Sequence, residues 1–345
     1  MFSQTMEPFN MPTRGERIRK SREEKNDEFY TIYADVADEL PHYRKFFKGK
    51  RILCPCDWDE SFEERLVYSD GSEVFPEDLF SDKNFVKDID IDETRKSFEK
   101  KIDLIKCNFI KFLVSHADAY GIKSISVSGY NPRTRKGVKF QDIDYSKYDV
   151  VITNPPFSLF REFVDIMINN KKEFLVIGPQ HGIMYKETFK YIIQNKIWIG
   201  YHYHLSGFLL PDGTMLPKND NLPRSCCWFT NLPVSIRNDE LILTQKYDPL
   251  KNPKYDNFDA IEVGATSDIP YDYDGIMGVP ITFLQKFNPN QFEILGLGSG
   301  DSAKEVGVQK NYRGRTDLAY LKDGKHHCPF GRILIRNKKV CHDED

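Results

Sequence analysis

The segment Val150-Val151-Ile152-Thr153-Asn154-Pro155-Pro156-Phe157 runs an apolar, β-branched stretch into a rigid polar turn with an aromatic ring beyond it. In α/β proteins, ligands gather at strand ends of this kind. Asn154 offers a side-chain oxygen and Pro155 a main-chain carbonyl, and proline brings no competing N–H donor. Two such acceptors can each take one N–H bond from an exocyclic amine whose lone pair is delocalised into an aromatic ring. The lone pair is thereby redirected toward an electrophile such as a sulfonium methyl group. Phe157 adds a flat face on which a base drawn out of a duplex can stack. Asn154, Pro155, Pro156 and Phe157 are therefore the candidate catalytic residues. The same turn suits adenine N6, cytosine N4, guanine N2 in RNA and the amide of a protein glutamine, so it specifies chemistry more narrowly than substrate.

Such a turn needs a sheet to hold it, and the flanking sequence alternates in the required way. Ile32, Val36, Leu40, Tyr43 and Phe47 recur at helical spacing, and Lys50–Asp57 reads as a first strand ended by Pro55. Then follow a helix over Leu104–Tyr120, a strand over Ser124–Ser128, the strand Asp149–Thr153, a helix over Ser158–Asn169 and a strand over Phe174–Ile177. A helix over Lys186–Gln194 and a strand over Lys196–Tyr203 complete the series. This alternation predicts an α/β fold, a doubly wound, Rossmann-like and mostly parallel sheet with a smaller C-terminal recognition lobe. Beyond about residue 205 prolines, glycines and polar turns separate short apolar pieces, with one clear strand at Ser225–Thr230. The expected organisation is a basic arm over 1–25, a catalytic domain over 26–205 carrying an acidic insertion at 58–105, and a region over 206–345 that adds remaining core strand to target recognition.

Composition sets the bounds. With 40% hydrophobic and 29% charged residues the chain has the balance of a soluble globular protein. No apolar stretch reaches membrane-spanning length and the N-terminus turns charged at once, so a cytoplasmic location and no membrane partner are expected. Seven cysteines at irregular positions suggest reduced thiols, and no metal site is expected. The net charge of −3 conceals segregation: Asp57–Glu93 holds 14 acidic against 3 basic residues, whereas Ser302–Val340 holds 10 basic against 3 acidic. A basic tail on an otherwise acidic chain fits a phosphate-bearing partner. The loop Gly296-Leu297-Gly298-Ser299-Gly300-Asp301 resembles a nucleotide-binding turn, but the 44 residues after it are too few for a βαβ unit, and a surface turn is expected there.

The chain resembles the EcoRI-type adenine-specific DNA methyltransferases over most of its length. The likeness is carried by DEFYT from Asp27, CNFIKFL from Cys107, VVITNPPFSLFRE from Val150, YKETF and NKIW between Tyr185 and Trp198, KYDNFDAIEV from Lys254, and DIP with DYDGIMGVPITFLQKFNPNQFE between Asp268 and Glu293. The resemblance implies S-adenosyl-L-methionine as cofactor and double-stranded DNA as substrate, with a monomer acting on one strand at a time in a restriction-modification setting; a cognate endonuclease is not inferable from this chain. It implies that Asp27, Glu28, Phe29 and Tyr30 close over the cofactor and that Cys54, Pro55, Cys56 and Asp57 form the cofactor loop. Ser128 and Asp142 are further cofactor candidates, with Asp144 an equal alternative to Asp142. The loop lacks the glycines common among methyltransferases, and no ribose-binding acid is obvious after Ser124–Ser128. A catalytically silent DNA-binding protein therefore stands beside RNA or protein-glutamine methylation as an alternative. For DNA contact the candidates are Arg224, Arg313, Arg315, Arg332 and Arg336.

Overall fold

A computed structural model describes residues 30–58, 66–71, 86–101, 107–131, 135–210, 214–217, 219–220, 225–237 and 239–340. The expected basic arm, Asp27, Glu28, Phe29, Arg224 and much of the acidic insertion lie outside the described residues.

Seven strands build one large mixed sheet: β1 (Arg51–Cys54), β2 (Lys87–Asp88), β3 (Ser124–Val127), β4 (Val150–Thr153), β5 (Glu173–Pro179), β6 (Trp198–Ile199) and β7 (Cys226–Thr230). Their order is β2-β3-β1-β4-β5-β7-β6. β3, β1, β4 and β5 run parallel, while β2 is antiparallel to β3 and β7 is antiparallel to both β5 and β6. Every residue of β4 and β7 is buried, as expected of strands covered on both faces.

Helices α1 (Tyr33–Glu39), α2 (Ile91–Lys101), α3 (Asn108–Tyr120), α4 (Phe160–Asn169) and α5 (Lys186–Ile193) surround this sheet. Adjacent residues of one strand show that both faces are covered. Trp228 meets the ring of Phe109 from α3, whereas Phe229 meets Phe160 from α4. Successive strand side chains point to opposite faces, so α3 and α4 lie on opposite sides. α4 buries Phe160, Phe163, Val164 and Met167, one helical stripe, and α3 ends on Gly121 in the left-handed region at φ 64°.

One ion pair fixes the central register. Arg51 Nε and Nη2 donate to Asp149 at 3.1 and 3.0 Å, and the Arg51 main-chain N–H donates to Asp149 Oδ2 at 2.8 Å. The guanidinium holds the Asp149 carboxyl down at about 2. This joins β1 and β4 at their amino ends, so that their carboxyl ends open side by side.

A second, four-stranded sheet follows: β8 (Ile261–Glu262), β9 (Ile276–Pro280), β10 (Phe292–Leu297) and β11 (Arg332–Asn337), ordered β8-β9-β11-β10. In β11, Ile333 and Ile335 belong to the main core, and Leu334 between them joins a smaller cluster with Tyr255, Ala303, Val308 and Leu318.

Two expectations need correction. The strand expected over Lys196–Tyr203 is only Trp198–Ile199, because the N–H groups of Tyr201 and His202 are taken by the Glu39 carboxylate instead of a neighbouring strand. The glycine loop at 296–301 is not a surface turn throughout. Gly296–Gly298 are buried, a Cβ on Gly298 would sit 2.2 Å from the Leu318 side chain, and Gly300–Glu305 forms a short helix, α6, with Ala303 buried.

Candidate active site

The chain leaves β1 toward β3 on one side and returns to β4 on the other, which makes the carboxyl ends of β1 and β4 the point where the strand order reverses. A crevice forms naturally there. The Cys54–Asp57 loop and the Thr153–Phe157 turn both open into it, so the sequence-derived cofactor loop and catalytic turn are neighbours.

Thr153 ties them together. Its hydroxyl oxygen accepts the Cys56 N–H at 3.2 Å, and the hydroxyl and the Asn154 N–H both face the Asp57 carboxyl. Burial pushes that carboxyl up to about 7, against the pull of those two donors. Asp57 Oδ2 is buried without a hydrogen-bond partner among the described residues. A buried acceptor with spare capacity fits a ligand that brings ammonium or hydroxyl donors.

The wall beside this loop is main chain. Ser128 is fully buried and donates its N–H to the Cys54 carbonyl at 3.0 Å. Gly129 lies so close to Trp58 that an added Cβ would sit 1.8 Å from the Trp58 carbonyl oxygen, so only glycine admits this approach.

In the catalytic turn Pro155 is buried, while Asn154, Pro156 and Phe157 are half-buried. The Pro156 carbonyl accepts from Leu159 N–H at 2.9 Å as the chain tightens into the 3₁₀ turn Phe157–Leu159. Phe157 meets Phe208 edge to face at 6.1 Å between ring centres. Phe208 pairs with Thr31, and Leu209 with Tyr30, in a three-stranded ribbon made of Tyr30–Thr31, Gly207–Leu209 and Met215–Pro217. The described end of the cofactor-closing segment is therefore joined to the catalytic turn through Phe208.

The sequence reading missed what holds Phe208 in place. Helix α1 carries Asp35 and Glu39, four residues apart and both buried. Asp35 accepts the N–H groups of Ser206 and Gly207, and Glu39 accepts from Tyr43 Oη, the N–H groups of Tyr201 and His202, and His202 Nδ1. Two acids on the buried side of helix α1 and its 3₁₀ continuation Leu40–Tyr43, which otherwise presents Val36, Leu40 and Tyr43, were the available signal. Gln180, at the end of β5, adds bonds to the carbonyls of Tyr203 and Cys226.

The remaining candidates divide. Asp142 is exposed at the end of the 3₁₀ turn Phe140–Asp142, and exposed Asp144 caps the next turn through Ser146 N–H. Arg313 and Arg315 are exposed on one loop, where Asn311 Oδ1 accepts both of their N–H groups. Arg336 is exposed and pairs with Glu293 at 3.5 Å. Arg332 must be reassigned: its guanidinium grips buried Glu262 through Nε and Nη2, which withdraws it from any phosphate. Among the described residues no group of His, Cys, Asp and Glu could hold a metal ion, and no helix is long and apolar enough to cross a membrane.

Comparison with known proteins identifies the family. The family model described as adenine-specific methyltransferase EcoRI matches residues 17–64 and 143–338. The type II methyltransferase M.EcoRI of Escherichia coli is 36% identical over 94% of this chain and 97% of its own length. M.MgeORF184P of Mycoplasma genitalium is 30% identical over 94% of this chain and 99% of its own, and M.MpnI of Mycoplasma pneumoniae is 26% identical over 93% and 98%. No solved structure matches the chain. Matched across both the Cys54–Asp57 loop and the Asn154–Phe157 turn, this chain belongs to the EcoRI family of adenine-specific methyltransferases.

Proposed function

We propose that the protein is a site-specific DNA methyltransferase that moves the methyl group of S-adenosyl-L-methionine to the exocyclic amine of an adenine flipped out of double-stranded DNA, within a restriction-modification pair. The observation that carries this reading is the adjacency of the Asn154-Pro155-Pro156-Phe157 turn and the Asp57 loop at the carboxyl ends of β4 and β1. Names of relatives as type II methyltransferases favour DNA over RNA or a protein glutamine, and argue against a silent binding protein.

Bound S-adenosyl-L-methionine supplies an electrophilic methyl group on a sulfonium. The chain's own residues do the rest. Asn154 Oδ1 and the Pro155 carbonyl accept the two amine N–H bonds and turn the nitrogen lone pair out of the adenine plane. Phe157, steadied by Phe208, stacks the base. Asp57 Oδ2 takes a donor of the cofactor, with Cys54, Pro55, Cys56 and Ser128 forming the loop wall, and Asp27, Glu28, Phe29 and Tyr30 closing from the side of the Tyr30–Thr31 strand. Asp142 contributes an acid at the rim. Holding the two reactants in line and the oriented acceptors of the turn together provide most of the acceleration. The sheet is read as a doubly wound, Rossmann-like one over 26–205, completed by a strand from 206–345, whose remainder recognises DNA through Arg313, Arg315 and Arg336.

The test is methyl transfer from labelled donor to DNA, to RNA and to protein, with products digested and scored for N6-methyladenine. Transfer to DNA alone is expected. Asn154→Ala is expected to lower turnover at least about a hundredfold, the scale of losing one oriented transition-state contact, while cofactor affinity stays within about threefold. Near-normal turnover by that variant refutes the assignment.

A further inference from the structure

Phe330 combines an open side chain with a fixed main chain. It is 71% exposed, yet its carbonyl accepts from Arg332 Nη1 at 2.7 Å. The same guanidinium is immobilised by buried Glu262, which also accepts from Tyr255 Oη. The next residue, Gly331, is buried at φ 44°, and a Cβ there would lie 2.9 Å from Met184 Sδ and 3.3 Å from an Ile281 methyl. An exposed aromatic ring is thus presented on a backbone locked from both sides.

Its neighbours are cationic. Cys328, two residues earlier, accepts from Asn311 Nδ2, and Asn311 also shapes the Arg313 and Arg315 loop. Tyr312 stacks on His326 at 4.6 Å and carries Arg313 over its ring. Exposed Lys322 and Lys325 belong to the hairpin Tyr320–Lys322 and Lys325–His327 that leads into Phe330. An exposed phenyl ring that follows a hairpin with exposed lysines and is linked through Asn311 to the arginine loop matches a base stack edged by phosphates better than an apolar protein surface.

Position points the same way. Met184, against Gly331, ends the 3₁₀ turn that follows β5, and Gly182 of that turn lies against the Phe160 ring, three residues beyond Phe157. Phe330 therefore stands on the side of the molecule where the catalytic turn opens.

We infer that Phe330 is a wedge that enters the DNA base stack beside the target adenine and occupies the space the base leaves. The inference rests on the reading of duplex DNA as substrate. Apolar side chains inserted between base steps partly unstack them and kink the duplex, and the Arg332–Glu262 pair holds the main chain that carries this ring.

The experiment uses the full chain and a duplex bearing the site found by sequencing DNA methylated by the wild type. Failure of the wild type to methylate DNA would overturn the functional reading and the wedge with it. Phe330→Ala should cut the single-turnover rate roughly tenfold or more, the scale of one lost stacking contact, and lose the fluorescence rise of 2-aminopurine at the target position. Phe330→Trp should retain both, and the melting temperature and cofactor affinity of either variant should match the wild type. A mismatch opposite the target base, which makes flipping cheap, should restore the alanine variant. An alanine variant as fast as wild type overturns the inference, and so does a defect of the same size on paired and mismatched duplexes, which would mark a docking contact with another partner or another step.

Discussion

Glu39 Oε2 takes both nitrogens that His202 presents, the main-chain N–H at 2.9 Å and ring Nδ1 at 2.7 Å. Through this clamp and that of Asp35, helix α1 holds the chain from Tyr201 to Gly207 and so sets the place of Phe208 against Phe157. The hydrogen bond to Glu39 raises the His202 pKa above 6.5, with Asp38 and Asp35 adding attraction and burial opposing it. A raised histidine stabilises fully below its unfolded value and loses that contribution as pH climbs through the folded one. Wild type should therefore lose more thermal stability than His202→Gln on going from pH 6 to about 9. The effect is modest because the imidazole is 43% exposed and partly screened by solvent. Parallel melting-temperature profiles for the two proteins would count against the clamp.

Asp57 is raised for the opposite reason, burial that disfavours its charged form and lifts the carboxyl to about 7, so it too stabilises the fold most when protonated. Its penalty appears as pH rises from near 4 through 7, and is at most about 4 kcal/mol for a shift of about three pH units. Asp57→Asn should flatten that part of the stability curve and weaken cofactor binding together. Denaturant titrations across pH, paired with calorimetry on S-adenosyl-L-methionine, report both; a variant that binds the cofactor as wild type does removes Asp57 from the site.

Gly129→Ala should disturb the cofactor wall more than the fold. The new methyl meets the Trp58 carbonyl at 1.8 Å, so one of the two chains must move, at a cost of about 1–3 kcal/mol. The adjoining Ser128–Cys54 bond moves with it. Cofactor affinity should drop while the KM for DNA holds, and the reverse pattern would place this wall elsewhere.

The arginines of the C-terminal half should separate by assay. Arg332→Ala leaves buried Glu262 with the Tyr255 hydroxyl but no cation and should destabilise the protein by about 3–5 kcal/mol. Arg313→Ala and Arg315→Ala, both on an exposed loop, should leave melting unchanged and each reduce the salt slope of DNA binding by about one. Equal salt slopes for wild type and both loop variants would show that this loop does not meet phosphate.

Much of the layout was written in local sequence. Val150–Thr153 is β-branched at every position and apolar up to Thr153, the pattern of a covered strand; Asn154–Phe157 is a stiff four-residue turn; Phe160, Phe163, Val164 and Met167 repeat at helical spacing. These depend on neighbours in the chain, where periodicity and backbone stiffness act. Partnership across the chain was not legible. Arg332 reads as one more cation in a basic tail until Glu262, 70 residues earlier, is brought to it by the pairing of β8, β9 and β11. Asp35 and Glu39 gain their role only when folding brings the N–H groups of residues 201–207 to them. Local sequence determined which elements form and what the catalytic turn can do; the tertiary structure decided which charges are left to meet a ligand, because a charge's role depends on its burial and on the partner folding places beside it.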